Sequence, residues 1–279
     1  MADAPGLWPL DDLAAQAQAW FPGFRAEAVA VIDSTNTELM RRARAGQLPP
    51  TLLVAQVQTA GRGRLGRAWI TGGSSSIPGV VGSGTGAQRA DLPALTFSLA
   101  LMLAPRDWSG LSLAVGVGLA QALHPALQLK WPNDLWLDGR KLAGVLIETA
   151  QSAGERCAVI GIGINLQPPA AQGLSVPPAG LRELLPGCNA PTVLQGIVPA
   201  LLVALRTFEA QGLAPFQQEF HARDLLRGRQ VLLSDGTAGT AHGIDAGGGL
   251  LVHTSAGMTT ITSSEVSVRP VGPGTRTGP

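Results

Sequence analysis

Residues 61–69, GRGRLGRAW, are the part of the chain best suited to bind an anion. They carry three arginines and three glycines. Guanidinium groups bind phosphate and carboxylate oxygens through paired hydrogen bonds. Arg62, Arg64 and Arg67 would repel one another without a ligand, so we expect the loop to stay open until an anion orders it. On composition alone, a solvated basic loop without a ligand remains an alternative.

The loop also has to be compared with the known glycine-rich motifs. Gly61, Gly63 and Gly66 match the spacing G-x-G-x-x-G of dinucleotide-binding loops. That motif requires a helix that begins at the loop, whereas this sequence continues into a Gly- and Ser-rich stretch. A P-loop is excluded because Arg67 and Ala68 replace its Lys and hydroxyl residue. An Arg/Gly arm that binds RNA stays open, although the segment offers no interleaved aromatic residues for stacking.

A second group of polar residues lies in the segment 130–148, KWPNDLWLDGRKLAGVLIE. Lys130, Asn133 and Asp134 follow a short strand, and Lys141 comes just after a predicted two-residue hairpin turn. An amide, a carboxylate and an amine at neighbouring strand ends can position a metal-bound phosphate and neutralise developing charge. The alternative is that Asn133 and Asp134 only form a turn and Lys141 faces water.

A third segment, GIGINL at 161–166, has glycines where a ligand could approach a strand closely. Asn165 ends this strand as a polar residue among apolar ones. A β-bulge explains the glycines equally well.

These segments need strands and helices to position them. The pattern predicts strands at 28–33, 51–58, 95–103 and 157–166, and a hairpin that turns at Asp138 and Gly139. It predicts helices at 34–46, with a capping box from Thr35 to Glu38, and at 110–124, 192–212 and 214–226. After residue 227 short strands alternate with glycine turns, which is typical of a small β-barrel. We place a domain boundary near Leu226.

Composition restricts the classes of function. The 279 residues are 45% hydrophobic and 14% charged, with a net charge of +1, so we expect a large core and no extended polyanion-binding surface. Two cysteines and four scattered histidines give neither a disulfide framework nor metal-ligand spacing. No signal peptide and no uncharged apolar run of about twenty residues is present. We therefore expect a cytoplasmic protein without a membrane span.

Taken in order, STN, GRGRLGRAW, KWPNDLWLDGRKLAGVLIE and GIGINL resemble the biotin–protein ligases over residues 28–270. The resemblance implies an α/β (α+β) fold: a mixed-sheet catalytic domain of the class II aminoacyl-tRNA synthetase and biotin ligase type, followed by an SH3-like β-barrel. It implies a catalytic domain at 1–226 with its core at 28–226, a C-terminal domain at 227–270 and a tail at 271–279.

The resemblance also implies a reaction and its partners. Biotin and ATP, with Mg²⁺, form biotinyl-5′-adenylate, and a lysine of a biotin carboxyl carrier protein, as in acetyl-CoA carboxylase, then takes the biotin. No tightly bound prosthetic group is expected. A lipoate–protein ligase is the nearest alternative. Only about 27 residues precede the first catalytic strand, so we expect no specific DNA binding, whereas a homodimer remains open.

Site residues follow from the same resemblance. Lys141, Arg64 and Arg62 would be catalytic. The biotin site would be formed by Ser34, Thr35, Asn36, Gln58, Gly61, Arg62, Arg64, Trp69, Lys141, Gly144, Gly161 and Gly163. The nucleotide site would be formed by Arg64, Arg67, Lys130, Asn133, Asp134 and Asn165, with Asp134 next to the magnesium. The Gly- and Ser-rich stretch 72–91 departs from the family pattern and leaves the adjacent pocket wall unassigned, as does the loop at 167–191.

Overall fold

A computed structural model describes residues 7–46, 48–69, 92–152, 154–169, 178–262 and 268–270. Its main feature is a mixed sheet of seven strands in the order β1-β2-β3-β7-β6-β5-β4. These strands are β1 Arg25–Ile32, β2 Thr51–Gln58, β3 Ala94–Met102, β4 Gln128–Lys130, β5 Asp134–Leu137, β6 Arg140–Ser152 and β7 Glu155–Asn165. β1 and β2 run parallel, and every other neighbouring pair is antiparallel. The predicted fold class is confirmed.

The centre of this sheet is formed by β2, β3, β6 and β7. β3 is apolar along nearly its whole length and is buried on both faces, which is the pattern of a strand covered from both sides. β6 and β7 pair over ten registers. A complete ladder of this kind leaves few backbone groups to move, so residues along it are held rigidly.

The helices cover the two faces of the sheet. They are α1 Leu10–Ala17, α2 Thr35–Arg44, α3 Leu111–Leu123, α4 Ala190–Gln211 and α5 Gln217–Arg223. α3 and α4 pack against each other in the larger core cluster. α2 covers the smaller cluster, to which it contributes Leu39, Met40 and Ala43. α1 was not predicted, because its eight residues are short for a periodic signal.

Two local predictions meet different outcomes. The turn at Asp138 and Gly139 joins β5 to β6, and both residues have positive φ, 47° and 74°, as a two-residue hairpin turn requires. The capping box is wrong. Ser34, not Thr35, is the N-cap of α2 and accepts from the Thr37 amide at 3.3 Å, while Glu38 pairs with Arg41 and Arg42.

The C-terminal part forms a second, antiparallel sheet in the order β11-β10-β9-β8-β12. Its strands are β8 Gln230–Leu233, β9 Ala238–Ile244, β10 Leu250–Thr254, β11 Gly257–Ile261 and β12 Val268–Pro270. The turn between β9 and β10 reaches back to the first sheet, where the Gly248 carbonyl accepts a hydrogen bond from Trp131 Nε1 at 2.9 Å. The domain boundary near Leu226 stays a prediction.

One described helix, α4, is long and apolar enough to cross a membrane, with 22 residues and a mean hydropathy of 1.5. Half of its apolar window is buried inside the protein. The buried side chains include Leu194, Val198, Leu201 and Leu205, which recur at helical spacing on one face. This burial is typical of the core helix of a soluble protein.

Candidate active site

The candidate site is a cavity of about 240 Å³ between the N-terminus of α2, the end of β2, the arginine segment and the strands β3 to β7. Most of the residues predicted for the site line it: Ser34, Thr35, Asn36, Gln58, Arg62, Arg64, Arg67, Trp69, Lys130, Asn133, Asp134, Lys141, Gly144, Gly161 and Gly163. Gly61 and Asn165 are not among the lining residues. Gly61 instead packs against Gln58 and Trp69, and Asn165 is buried at the end of β7 opposite Ala94.

One end of the cavity is a buried polar network. Ser34, Thr35, Asn36 and Ser98 are each no more than 3% exposed. The Thr35 amide donates to Gln58 Oε1 at 2.8 Å, and the Thr35 and Ser98 hydroxyl oxygens lie 2.8 Å apart. Because each partner fixes the next, the network offers a ligand donors and acceptors in set directions. Such a wall can recognise a polar ring.

The floor of the cavity owes its shape to three glycines in β6 and β7. A Cβ at Gly163 would lie 2.3 Å from the Trp69 ring, and one at Gly161 would lie 2.7 Å from Asn36 Oδ1. A Cβ at Gly144 would lie 3.2 Å from Lys141 Nζ. At each of these glycines a functional side chain occupies the space beside the bare backbone. Gly161 and Gly163 are therefore required for close approach, whereas a Cβ at Gly144 would only crowd the flexible end of Lys141. The sheet is continuous through all three glycines.

Lys141 and Asp134 form the charged centre of the cavity. Lys141 Nζ lies 2.7 Å from Asp134 Oδ1, and the two side chains are 38% and 18% exposed. The same Nζ lies 5.9 Å from the centre of the Trp69 ring. Asp134 is the only carboxylate among the cavity-lining residues that the structure describes. A partly buried amine beside one carboxylate can contact a second anion without leaving its place.

The arginine segment 61–69 folds into a small hairpin. Its backbone is closed by hydrogen bonds from Gly63 to Arg67 and from Trp69 to Gly61, at 2.7 and 2.8 Å. The tip is the 3-10 turn Arg64–Gly66, in which Leu65 has a left-handed φ of 57°. These hydrogen bonds give the segment a defined hairpin conformation.

Two of the three arginines, Arg62 and Arg64, have side-chain partners, which corrects the expectation that all three are unpaired. Arg62 pairs with Glu148 at 3.2 Å, and Arg64 donates to Asn133 Oδ1 at 3.3 Å. The physical reason is that the Glu148 carboxylate and the Asn133 amide oxygen accept hydrogen bonds from these guanidinium groups. The sequence pattern suggested only repulsion between the arginines.

The end of the cavity opposite the polar network is cationic. Burial lowers the pKa of the Arg64 guanidinium, and Asp134 counteracts this effect while Arg67 adds to it. Asn133 is fixed by donating to the Val145 carbonyl at 2.7 Å. Lys130 Nζ lies 4.5 Å from the centre of the Trp136 ring. This end is suited to a polyanion, whereas the buried network suits a neutral polar ring.

Sequence reasoning missed two side chains that complete the site. Ser98 lies in the polar network, and Glu148 contacts both Asn36 and Arg62. Both are polar residues within apolar strands, LTFSLALM and AGVLIETA. A buried polar residue in such a strand needs a partner, and this was the available signal.

Comparison with known proteins assigns most of the chain to one family. Residues 28–165 match the biotin/lipoate A/B protein ligase family, and residues 228–269 match the biotin protein ligase C terminal domain. A biotin–[acetyl-CoA-carboxylase] ligase from Paracoccus denitrificans is 32% identical over 262 residues, which cover 84% of this chain and 96% of that protein. The bifunctional ligase/repressor BirA of Escherichia coli is 32% identical over 250 residues, 86% of this chain and 72% of its own.

Solved structures agree with the sequence relatives. The biotin protein ligase from Aquifex aeolicus in complex with biotin and ATP superposes with a TM-score of 0.68 at 26% identity. The superposition covers 88% of this chain and 99% of that one.

Proposed function

The chain belongs to the biotin/lipoate A/B protein ligase family. On that premise we propose how its cavity activates biotin with ATP and then transfers it to a carrier protein. The enzyme is an ATP-dependent biotin–protein ligase. Its substrates are biotin and ATP. The roles given below to single residues are our assignment.

One observation carries this assignment: Lys141 lines the same cavity as the buried polar network and Arg64. Lys141 Nζ is held by Asp134 at 2.7 Å and lies 5.9 Å from the Trp69 ring centre. A carboxylate that enters past Trp69 and a phosphate that enters along Arg64 would meet at this amine. The central chemical difficulty of the reaction is the repulsion between those two anions, and fixed cations reduce it.

We assign the polar network to the ureido ring of biotin. Ser34, Thr35, Asn36 and Gln58 supply the donors and acceptors, and Ser98 orients them. The Trp69 ring on Gly163 gives the apolar wall for the bicyclic ring and valeryl chain. A ligand without the ureido groups would leave buried polar atoms unpaired, so it would be rejected.

In the first step, a carboxylate oxygen of biotin attacks the α-phosphorus of ATP and pyrophosphate leaves with the bonding electron pair. Lys141 contacts both the carboxylate and the α-phosphate and offsets the charge that builds up between them. Arg64 and Arg67 hold the phosphates, and Arg62 faces the carboxylate. Asn133, fixed on the Val145 carbonyl, orients the nucleotide.

Magnesium would bind with the nucleotide, with Asp134 as its protein ligand. The described cavity-lining residues offer the ion one carboxylate, that of Asp134. Among the described residues, no group of three or more His, Cys, Asp or Glu side chains could hold a metal ion by itself. Mg²⁺ commonly uses one or two carboxylates together with substrate phosphates. When bound, it would neutralise phosphate charge.

In the second step, the neutral amine of the carrier lysine attacks the acyl carbon of biotinyl-5′-adenylate. The amide C–N bond forms, the bond between the acyl carbon and the phosphate oxygen breaks, AMP leaves with the electron pair, and the amine proton passes to solvent. The arginine hairpin covers the adenylate until then and keeps water from the mixed anhydride. No covalent link to the enzyme is needed.

The carrier is a carboxyl carrier protein of the acetyl-CoA carboxylase type. We place the reaction in the cytoplasm and the domain boundary near Leu226. The net charge of +1 favours no extended DNA-binding surface, and a gel shift with a tight, specific operator complex would refute this. The choice between monomer and homodimer stays open, and sedimentation would measure it.

Pyrophosphate exchange tests the function against the lipoate alternative. With labelled pyrophosphate, biotin should support ATP formation, and lipoate should not, because the polar network matches ureido donors. Exchange driven by lipoate and not by biotin would refute the assignment.

A further inference from the structure

Glu148 is a carboxylate that none of the assigned roles uses. It lies on β6, opposite Val159 of β7, and its side chain is 24% exposed. The residues that precede it along the strand are apolar, as the sequence GVLIE shows. A charged side chain in such a strand is retained only where partners compensate its desolvation.

Both oxygens of Glu148 are engaged, and their partners lie on two different parts of the cavity. Oε2 accepts from Asn36 Nδ2 at 2.6 Å. Oε1 accepts from Arg62 Nη2 at 3.2 Å, and Oε2 also accepts from Arg62 Nη1 at 3.3 Å. One carboxylate therefore joins the N-terminus of α2 to the arginine hairpin.

The contact with Asn36 sets the direction of its amide. A carboxylate accepts and does not donate, so Glu148 fixes Nδ2 on its own side. Asn36 Oδ1 then faces Ser98, whose hydroxyl donates to it at 3.3 Å, and lies over Gly161. Without Glu148 the amide could rotate and present a donor where the site presents an acceptor.

The contact with Arg62 holds the hairpin against the sheet. Within the described residues, Arg62 bridges to Ala68 through the backbone and reaches across to Glu148 with its guanidinium. The arginine is 48% exposed, so this bond is weak enough to break when the hairpin opens.

We propose that Glu148 is a positioning residue that sets the biotin-binding amide of Asn36 and the closed place of Arg62 at the same time. The proposal rests on the biotin ligase function above. It predicts that one side chain controls two separable properties, the affinity for biotin through Asn36 and the retention of the adenylate through Arg62.

Two substitutions separate these properties. In Glu148→Gln the amide oxygen can still accept from Asn36, but its NH₂ group opposes Arg62. Biotin affinity should stay close to wild type, and escape of adenylate should rise about two- to five-fold, the range for a half-exposed ion pair. In Glu148→Ala both contacts are lost, and Kd for biotin should also rise about ten-fold.

The measurements are calorimetric titration of biotin and the biotinylation of bystander lysines on an added albumin, both per folded enzyme. Glu209→Gln is the matched control, because Glu209 pairs with Arg206 at 2.5 Å on α4, away from the cavity. If both Glu148 variants match the control in affinity and in escape, the proposal is overturned. A wild-type enzyme that fails to bind biotin would instead refute the proposed function.

A double-mutant cycle keeps the test decisive if Glu148→Ala does not fold. Arg62→Gln, Glu148→Gln and the double variant are compared for adenylate escape. If Glu148 acts through Arg62, adding Glu148→Gln to Arg62→Gln should not raise escape further. Fully additive effects would show that Glu148 does not act through Arg62 and would overturn the proposal.

Discussion

The floor and the arginine hairpin of the cavity are built in opposite ways. The floor consists of β6 and β7, which pair over ten registers and lie within the large core cluster. The hairpin, residues 61–69, contributes no buried side chain to its turn and is tied to the sheet by the Arg62–Glu148 and Arg64–Asn133 contacts. Recognition of the ureido ring of biotin thus uses the rigid part of the fold. Biotinyl-5′-adenylate is covered by the arginine hairpin, which can open.

This difference follows from what each region has to do. A polar ring is recognised by groups that are held in one arrangement. Groups on paired, buried strands are already ordered, so binding costs no further conformational entropy there. The intermediate has to be shielded in the first step and exposed to a carrier lysine in the second, so its cover has to open with a small change in free energy. Substitutions in the floor should therefore affect binding and rate strongly, whereas those in the hairpin should affect retention.

Lys141→Ala tests the floor at its charged centre and should have the largest effect. Loss of one charged donor should lower the adenylation rate about 10²–10³-fold, because the cation that contacts both the carboxylate and the α-phosphate would be missing. Biotin binding should remain measurable, since the polar network is unchanged. Pyrophosphate exchange gives the rate, and turnover within a few-fold of wild type would show that Lys141 is wrongly assigned.

Gly163→Ala tests how closely the floor is fitted. The new Cβ would lie 2.3 Å from the Trp69 ring, so the ring or the strand has to shift, and biotin affinity should fall about ten-fold or more. Gly196→Ala is the control, because its Cβ would meet nothing within 4 Å on the exposed side of α4. Calorimetry measures both, and wild-type affinity in Gly163→Ala would contradict the described floor.

Arg64→Gly moves the test to the hairpin, where the effect should be smaller and of another kind. The contact with Asn133 at 3.3 Å would be lost, and adenylate escape should rise several-fold, up to about ten. Biotinylation of albumin lysines reports it. Arg64→Gln removes the charge without adding the freedom of glycine, so a leak seen only with glycine would point to flexibility instead of lost charge.

Leu65→Asn should give the smallest effect, and in the opposite direction. Leu65 has a φ of 57° and is 53% exposed, so its left-handed backbone is strained and little burial compensates it. Asparagine adopts this conformation more readily, so the substitution should favour the closed hairpin. Adenylate escape should fall about two-fold, a change that needs less free energy than the roughly 1 kcal/mol that the left-handed backbone costs. Leu65→Val should increase adenylate escape. Escape should therefore decrease from Val to Leu to Asn at position 65, and any other order would argue against a strained tip.

Much of the fold could be read from local pattern. The strand 51–58 was placed at its observed ends, and the hairpin at Asp138 and Gly139 has the predicted positive φ values. Strand alternation, apolar runs and turn residues depend on neighbours in sequence, so they are readable without the fold. α1 and the cap at Ser34 were missed or misplaced because short helices and cap geometry depend on packing and backbone angles.

The sequence by itself determined the chemistry of the protein: arginines on a glycine-rich segment, Lys141 after a hairpin turn, and glycines in a strand, in an order that resembles one family. Only the tertiary structure decided what those glycines make room for and which side chains Arg62 and Arg64 contact. Asn36 lies over Gly161, Trp69 over Gly163, and Glu148 joins Asn36 to Arg62. The two contacts of Glu148 join residues 112 and 86 positions apart in the chain. No local pattern encodes such contacts, because they arise when the sheet brings the strands together.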